Sequence, residues 1–238
     1  MDRYRRLRLK MLSDGVGLRP GESPFSGNLV TGKSINFPIA STCSPTTVCG
    51  ATCYAGCGPI TWSASIAKQY RNMSSCKSDP VTFAELVASD ADAMRLKFVT
   101  WNGSGDLFQE SVKAINHLGR LRPDIVQWVR TRKPKMASLI EEYPKLFVHF
   151  SLDRDSLQRR SEITWKTSRY HFSYQYAKGE VGAYPEGVHV IFGHDYKLPS
   201  GVNATKPEIC PLNVLDNIKD ACASCKRCFG GADGQIAT

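Results

Sequence analysis

The chain predicts an α/β fold, a partial (βα)5–6 barrel of the TIM type with a cysteine-rich C-terminal metal-binding extension. Three observations carry that expectation. Short continuous apolar runs alternate with helical periodicity, as parallel strands covered on both faces require, and their starts recur about 17–30 residues apart. A complete eight-fold barrel takes about 250 residues, whereas roughly 130 lie between Cys57 and Gly193, enough for five or six βα units. The third observation is nine cysteines, eight of them in two tight groups.

In chain order, residues 1–12 form a basic arm in which Arg3, Arg5, Arg6, Arg8 and Lys10 interleave with Tyr4, Leu7, Leu9 and Met11. Residues 13–42 are rich in Gly, Pro and Ser and read as an irregular lead-in with one short strand within the alternating segment 33–40. After the first cysteine group, helices are expected over 63–74 and 81–95, the second opened by Asp79 and Pro80. Strand-like runs then follow at 96–101, 124–130, 145–152, 170–176 and 188–193. Helices over 108–120, over 135–143 and from 154 onward separate the first of these. The boundaries expected are 1–42 for the arm and lead-in, 43–200 for the barrel and 201–238 for the cysteine-rich segment.

The composition bounds the function. Of 238 residues, 42% are hydrophobic, which supports a packed core and excludes a disordered tail. No apolar run approaches 18 residues, and the opening MDRYRRLRLK lacks the apolar stretch of a signal peptide. A cytoplasmic protein without membrane attachment is expected. The net charge is +9, with Arg-rich segments at 120–122, 130–135 and 154–160, a pattern suited to phosphate backbones and hence to DNA or RNA.

In a chain of this size without an export signal, clustered thiols point to metal rather than disulfides. Cys43, Cys49, Cys53 and Cys57 lie on a Gly-containing loop that can wrap an iron-sulfur cluster, although zinc accepts the same ligands. Cys210, Cys222, Cys225 and Cys228 have the spacing of a second [4Fe-4S] cluster or a structural zinc. Cys76 is left over as a buried or spare thiol.

The segment Cys49-x3-Cys53-Tyr54-Ala55 followed by a βα series resembles the radical S-adenosylmethionine superfamily, and more closely the bacteriophage-encoded family catalogued as gene product 88. Further likeness lies in Asn102-Gly103-Ser104-Gly105-Asp106-Leu107-Phe108, in Trp128 to Pro134 and in Phe150-Ser151-Leu152-Asp153. The resemblance spans residues 30–228 and implies a radical-SAM-like barrel, a [4Fe-4S] cluster at Cys43–Cys57 and S-adenosylmethionine as a cofactor. The superfamily spaces its cysteines by three and then two residues; here both inner gaps are three and a fourth cysteine is present. Three ligands leave one iron open to S-adenosylmethionine, whereas four close it.

Polar residues follow the strand-like runs, where a barrel gathers its site. Asp106, Asp153 and Ser104 are candidate catalytic residues, and Asn102, Arg132, Ser151 and His194 candidate cofactor-binding residues, with Asp195 beside the last. An Asp after a strand also commonly caps the next helix, which accounts for Asp153 equally well. Three functions fit: an iron-sulfur, radical-SAM-like enzyme acting on nucleic acid or a nucleotide; a base-exchanging transglycosylase of the 7-deazaguanine type, with Asp106 as nucleophile, Asp153 or Asp195 as acid or base and a structural zinc; and a non-enzymatic nucleic-acid-binding protein stapled by two closed metal sites.

Overall fold

The computed structural model describes residues 17–28, 32–162 and 170–193, together with Leu198, Val202 and Cys210. The basic arm 1–12, His194, Asp195, Cys222, Cys225 and Cys228 lie outside the described residues.

One seven-stranded sheet organises the described chain, with its strands in consecutive order. Strand β1 (Phe25–Asn28) runs antiparallel to β2 (Gly32–Ile35). Strands β3 (Phe98–Trp101), β4 (Val126–Thr131), β5 (Leu146–Leu152), β6 (Tyr170–Gln175) and β7 (Val190–Phe192) then add one by one in parallel. No pairing among the described residues joins β1 to β7, so of the partial barrel expected the structure shows an open α/β sheet. The lead-in also differs from expectation. It supplies two strands rather than one, paired antiparallel from Phe25–Ile35 to Asn28–Gly32, with Gly32 at a φ of 73° where β2 begins.

The helices are α1 (Ile39–Thr42), α2 (Thr47–Thr52), α3 (Ser63–Ser78), α4 (Pro80–Ala93), α5 (Gln109–Leu121) and α6 (Pro134–Ala137). Helix α4 starts as its sequence dictates: the Asp79 side chain accepts from the Val81 and Thr82 N–H groups at 3.0 Å, and Pro80 occupies the first position. The helix expected over 135–143 stops after one turn. Asn116 on α5 supplies the reason, since its Nδ2 donates to Leu139 O at 3.0 Å and its Oδ1 accepts from Glu141 N at 3.0 Å, holding the backbone in a loop. After β5, the expected helix is a 3-10 segment, Leu157–Glu162.

Strand register assigns two faces to the sheet. Ile35, Val99, Trp101, Val129 and Val148 share one face and form the main core with Phe83, Val87 and Ala91 of α4 and Val112, Ile115 and Leu118 of α5. Helices α4 and α5, which connect consecutive parallel strands, both pack on this face. The opposite face carries Val126 and Trp128, packed with Phe98 and Phe147; no described helix residue joins that cluster. Farther along the same face, in pleat alternation, stand Thr100, Asn102, Arg130, His149, Ser151, His171 and Ser173.

Candidate functional site

At the C-terminal ends of β2 to β5, four loops interlock. The loop after β3 turns through Asn102 (φ 56°) and Gly105 (φ 81°). Asn tolerates this left-handed backbone, and Asn102 fixes it by donating Nδ2 to Arg130 O at 2.7 Å. A Cβ on Gly105 would stand 2.6 Å from Phe37 O, so only glycine fits there. Ser104 Oγ donates to Phe37 O at 3.1 Å, and Phe37 N donates to Ser104 O at 3.0 Å, which ties this loop to the end of β2.

Asp106 sits at the centre of the junction. Its Oδ1 accepts from Thr131 Oγ1 at 2.6 Å and Leu107 N at 2.7 Å, its Oδ2 from Arg132 N at 3.3 Å, and its own N–H donates to Thr42 Oγ1 at 2.9 Å. Burial pushes the carboxyl upward, while the Thr131 hydroxyl, the Leu107 N–H and the Lys133 charge hold it back. Lys133 Nζ is itself bound to Thr42 O at 2.5 Å and Leu107 O at 2.8 Å. Asp153 is likewise engaged: Oδ2 accepts from Arg132 Nη1 at 2.6 Å and Thr46 Oγ1 at 2.6 Å, and Oδ1 from Ser156 Oγ at 2.9 Å and Asp155 N at 3.1 Å. Both carboxylates are buried and surrounded by protein donors, the environment of residues that hold loops in place.

These contacts carry the first cysteine group. Thr46 caps α2, its Oγ1 accepting from Cys49 N at 3.0 Å while donating to Asp153. Val48 N donates to Asp155 Oδ2 at 3.2 Å, so two carboxylates anchor the first turn of α2, on which Cys49 stands. Tyr54, from the Cys-x3-Cys-Tyr segment, donates its hydroxyl to Gly103 O and closes the loop onto β3. Cys43 follows α1 directly, Cys53 follows α2, and both pack with Ile39, Ala55, Ile66 and Tyr70. The three thiols feel one another. Burial raises Cys43 well above the ordinary thiol range, with charges at Asp106, Cys49 and Cys53 adding to it. Cys53 is pushed up to about 11 by burial and then by Cys49. Cys49 is raised by burial, Asp153 and Asp106, while the Arg132 guanidinium pulls it down. Without a cation these thiols stay protonated, and bound metal is what converts such groups to thiolate.

The donor set suits a thiolate-bound metal in kind: three half-buried sulfurs on and around the short helix α2, beside one arginine. Among the described residues no three His, Cys, Asp or Glu side chains draw together as the shell of a single ion. Cys57 is exposed, its Sγ donating to Tyr54 O at 3.4 Å. Cys210 is buried, with its N–H donating to Ile191 O at 3.1 Å, and its three sequence companions lie outside the described residues. Cys76 belongs to the core between α3 and α4.

The profile of the family described as Gene product 88 matches residues 16–231. The chain belongs to the Gene product 88 family. Among curated proteins and among solved structures, none matches it. In this Gene product 88 family member, no helix among the described residues is long and apolar enough to cross a membrane.

Of the residues singled out in the sequence, Ser104, Asp106, Arg132, Asp153, Cys43, Cys49 and Cys53 come together at one edge of the sheet. Asn102 and Ser151 stand on the face opposite the main core; Ser151 Oγ accepts from Ser173 Oγ at 3.3 Å. Sequence reading missed Thr42 and Thr46 and gave Thr131 and Lys133 no part in the site, because the partners of all four are distant in the chain. It also missed His149 and His171, which lie inside apolar strand runs where only strand register brings them together.

Proposed function

We propose that this Gene product 88 family protein is an iron-sulfur protein whose cluster is held by Cys43, Cys49 and Cys53, with Cys57 as the fourth candidate ligand. The observation that carries the reading is that three half-buried thiols from one short segment, Cys43 to Cys53, lie at the C-terminal edge of a parallel sheet, near Arg132. The consecutive parallel order of β2 to β7 supports a radical-SAM-like partial barrel, whose site forms at this edge.

A cluster with an open iron would supply one-electron chemistry on S-adenosylmethionine. The chain's own residues prepare the place. Arg132, fixed by Asp153, offsets the negative charge that three thiolates bring. Thr46, Asp153 and Asp155 set the direction of α2 and hence of Cys49. Asp106 locks the β3 and β4 loops together, leaving Arg132 aimed at the cysteine loop. Cys57, the exposed member, decides between an open and a closed cluster.

The substrate class in this reading is nucleic acid or a nucleotide, supported by the net charge of +9. Cys210, Cys222, Cys225 and Cys228 form a second cluster or a zinc site, and the protein works in the cytoplasm of a phage host. Anaerobic purification tests the reading: a brown protein with visible charge-transfer absorption that changes on addition of S-adenosylmethionine supports it. A colourless protein whose only metal is zinc contradicts it.

A further inference from the structure

The sheet face opposite the helix-packed core holds a row of buried polar groups to which no described residue offers a hydrogen bond. Register places Arg130 of β4, His149 of β5 and His171 of β6 side by side at one level, with Thr100 of β3 beside Trp128 one pleat below, and Asn102, just past the end of β3, is tied to Arg130 O by its Nδ2. Asn102, His149, His171 and Thr100 are each at most 3% exposed. Asn102 Oδ1, Arg130 Nε, both ring nitrogens of His149, His171 Nε2 and Thr100 Oγ1 are all buried without a hydrogen-bond partner. Gln69 and Asn72, on α3, each leave an amide oxygen in the same condition. Leaving a donor or acceptor buried and unpaired costs about 1–3 kcal/mol each, so a row of six implies a bound group that meets them.

The charge of the row indicates what that group is. The Arg130 guanidinium lies 4.0 Å from the centre of the Trp128 ring, and no described Asp or Glu forms an ion pair with it. Two imidazoles follow it on the next two strands, and the other groups facing them are the aromatic rings of Trp128, Phe147, Phe192 and His189. A guanidinium and two imidazoles without a carboxylate make a row of donors and potential positive charge. Asn102 and Thr100 add a carbonyl and a hydroxyl, which suit the hydroxyl of a protonated oxyanion or of its parent molecule.

The geometry points to an oxyanion-binding site on this face, formed by Arg130, His149 and His171 with Asn102 and Thr100, for the phosphate or carboxylate group of a small polar ligand. The site is built from strands rather than loops and is independent of whether the cysteine loop holds iron. Binding takes up protons: burial, Arg130 and the neighbouring histidines keep His149 well below its ordinary range, burial and His189 keep His171 at about 4, and an anion between them reverses the charge part of that effect. Affinity therefore rises as pH falls.

Calorimetric titration of the full chain with inorganic phosphate, adenosine 5′-monophosphate and acetate, at about pH 7.5 and about pH 5, tests the site. At least one probe is expected to bind, more tightly at the lower pH, and the set of probes separates phosphate from carboxylate. Arg130→Gln should weaken binding roughly tenfold or more, and a His149→Gln, His171→Gln double variant should lose the pH dependence. Iron-free protein should bind equally, which separates this test from that of the cluster. Absence of binding by all three probes, or unchanged binding by Arg130→Gln, overturns the proposal. Thermal unfolding adds an independent readout: His149→Phe removes two unpartnered atoms and should raise the melting temperature, whereas a fall shows that the imidazole is satisfied in the ligand-free fold and overturns the assignment.

Discussion

Arg132 donates from Nη1 to Asp153 Oδ2 at 2.6 Å, linking the loop after β4 to the loop after β5 beneath the cysteine loop. Asp153 has no exposed surface and the Arg132 side chain is 15% exposed, so water reaches the pair from the Arg132 side alone and meets little of either charge once its partner is removed. Asp153→Ala or Arg132→Ala is expected to cost about 3–5 kcal/mol, the penalty of a stranded buried charge. The Arg132→Met, Asp153→Leu double variant should cost clearly less than the sum of the single changes. Urea denaturation of the four proteins measures the coupling.

Gly105 holds the turn that delivers Asp106. Its φ of 81° and the 2.6 Å that would separate an added Cβ from Phe37 O leave no room for a side chain. Gly105→Ala should destabilise the fold by more than about 1 kcal/mol and loosen the loop. Gly27→Ala, where a Cβ meets nothing and φ is not positive, should change stability little. Chemical denaturation of the two variants side by side checks the difference.

Stability should fall in mild acid. His149 and His171 are held neutral by burial, His171 titrating at about 4 against an ordinary value of 6.5. In that interval the unfolded chain binds protons that the folded chain does not, so stability is full above pH of about 6.5 and declines as pH drops toward about 4. The His149→Phe, His171→Phe double variant should show a flatter decline in melting temperature across that range, as followed by circular dichroism.

Much of the fold was legible in the sequence, since β3 to β7 coincide within two residues or so of the apolar runs. Helices α3, α4 and α5 announced themselves by period and, for α4, by Asp79 and Pro80. What was not legible depended on distant partners. The short α6 reflects Asn116, more than twenty residues away, capturing the backbone of Leu139 and Glu141. Of the β1–β2 hairpin only β2 showed, in the alternating segment 33–40; β1, four residues long, gave too little pattern to read. At the site, Asp106, Arg132 and Asp153 were visible as strand-end residues, but their mutual arrangement was not. That Asp106 and Asp153 are enclosed by donors emerges only from three dimensions, and it argues for positioning roles ahead of nucleophilic ones. The row of Arg130, His149 and His171 was invisible because nothing in a sequence states which strands lie next to each other.

Cys49 tests how the cysteine loop works as a unit. It stands in the first turn of α2, held by Thr46 and lowered by the Arg132 charge against the effect of burial. Thr46→Val removes both the cap and the hydrogen bond to Asp153, and should cost about 0.5–2 kcal/mol in stability while reducing metal retention. Metal content after dialysis against a chelator reads the second effect separately from the first.

On the proposed reading, the loop from Cys43 to Cys57 holds an iron-sulfur cluster. Its most direct test is the iron and acid-labile sulfide content per chain of anaerobically reconstituted protein, set beside that of a Cys43→Ser, Cys49→Ser, Cys53→Ser variant. The wild-type protein is expected to carry iron and sulfide in equal amounts, and the triple variant to lose one full cluster equivalent. Equal iron and sulfide in the two proteins, or zinc in place of both in the wild type, would contradict it.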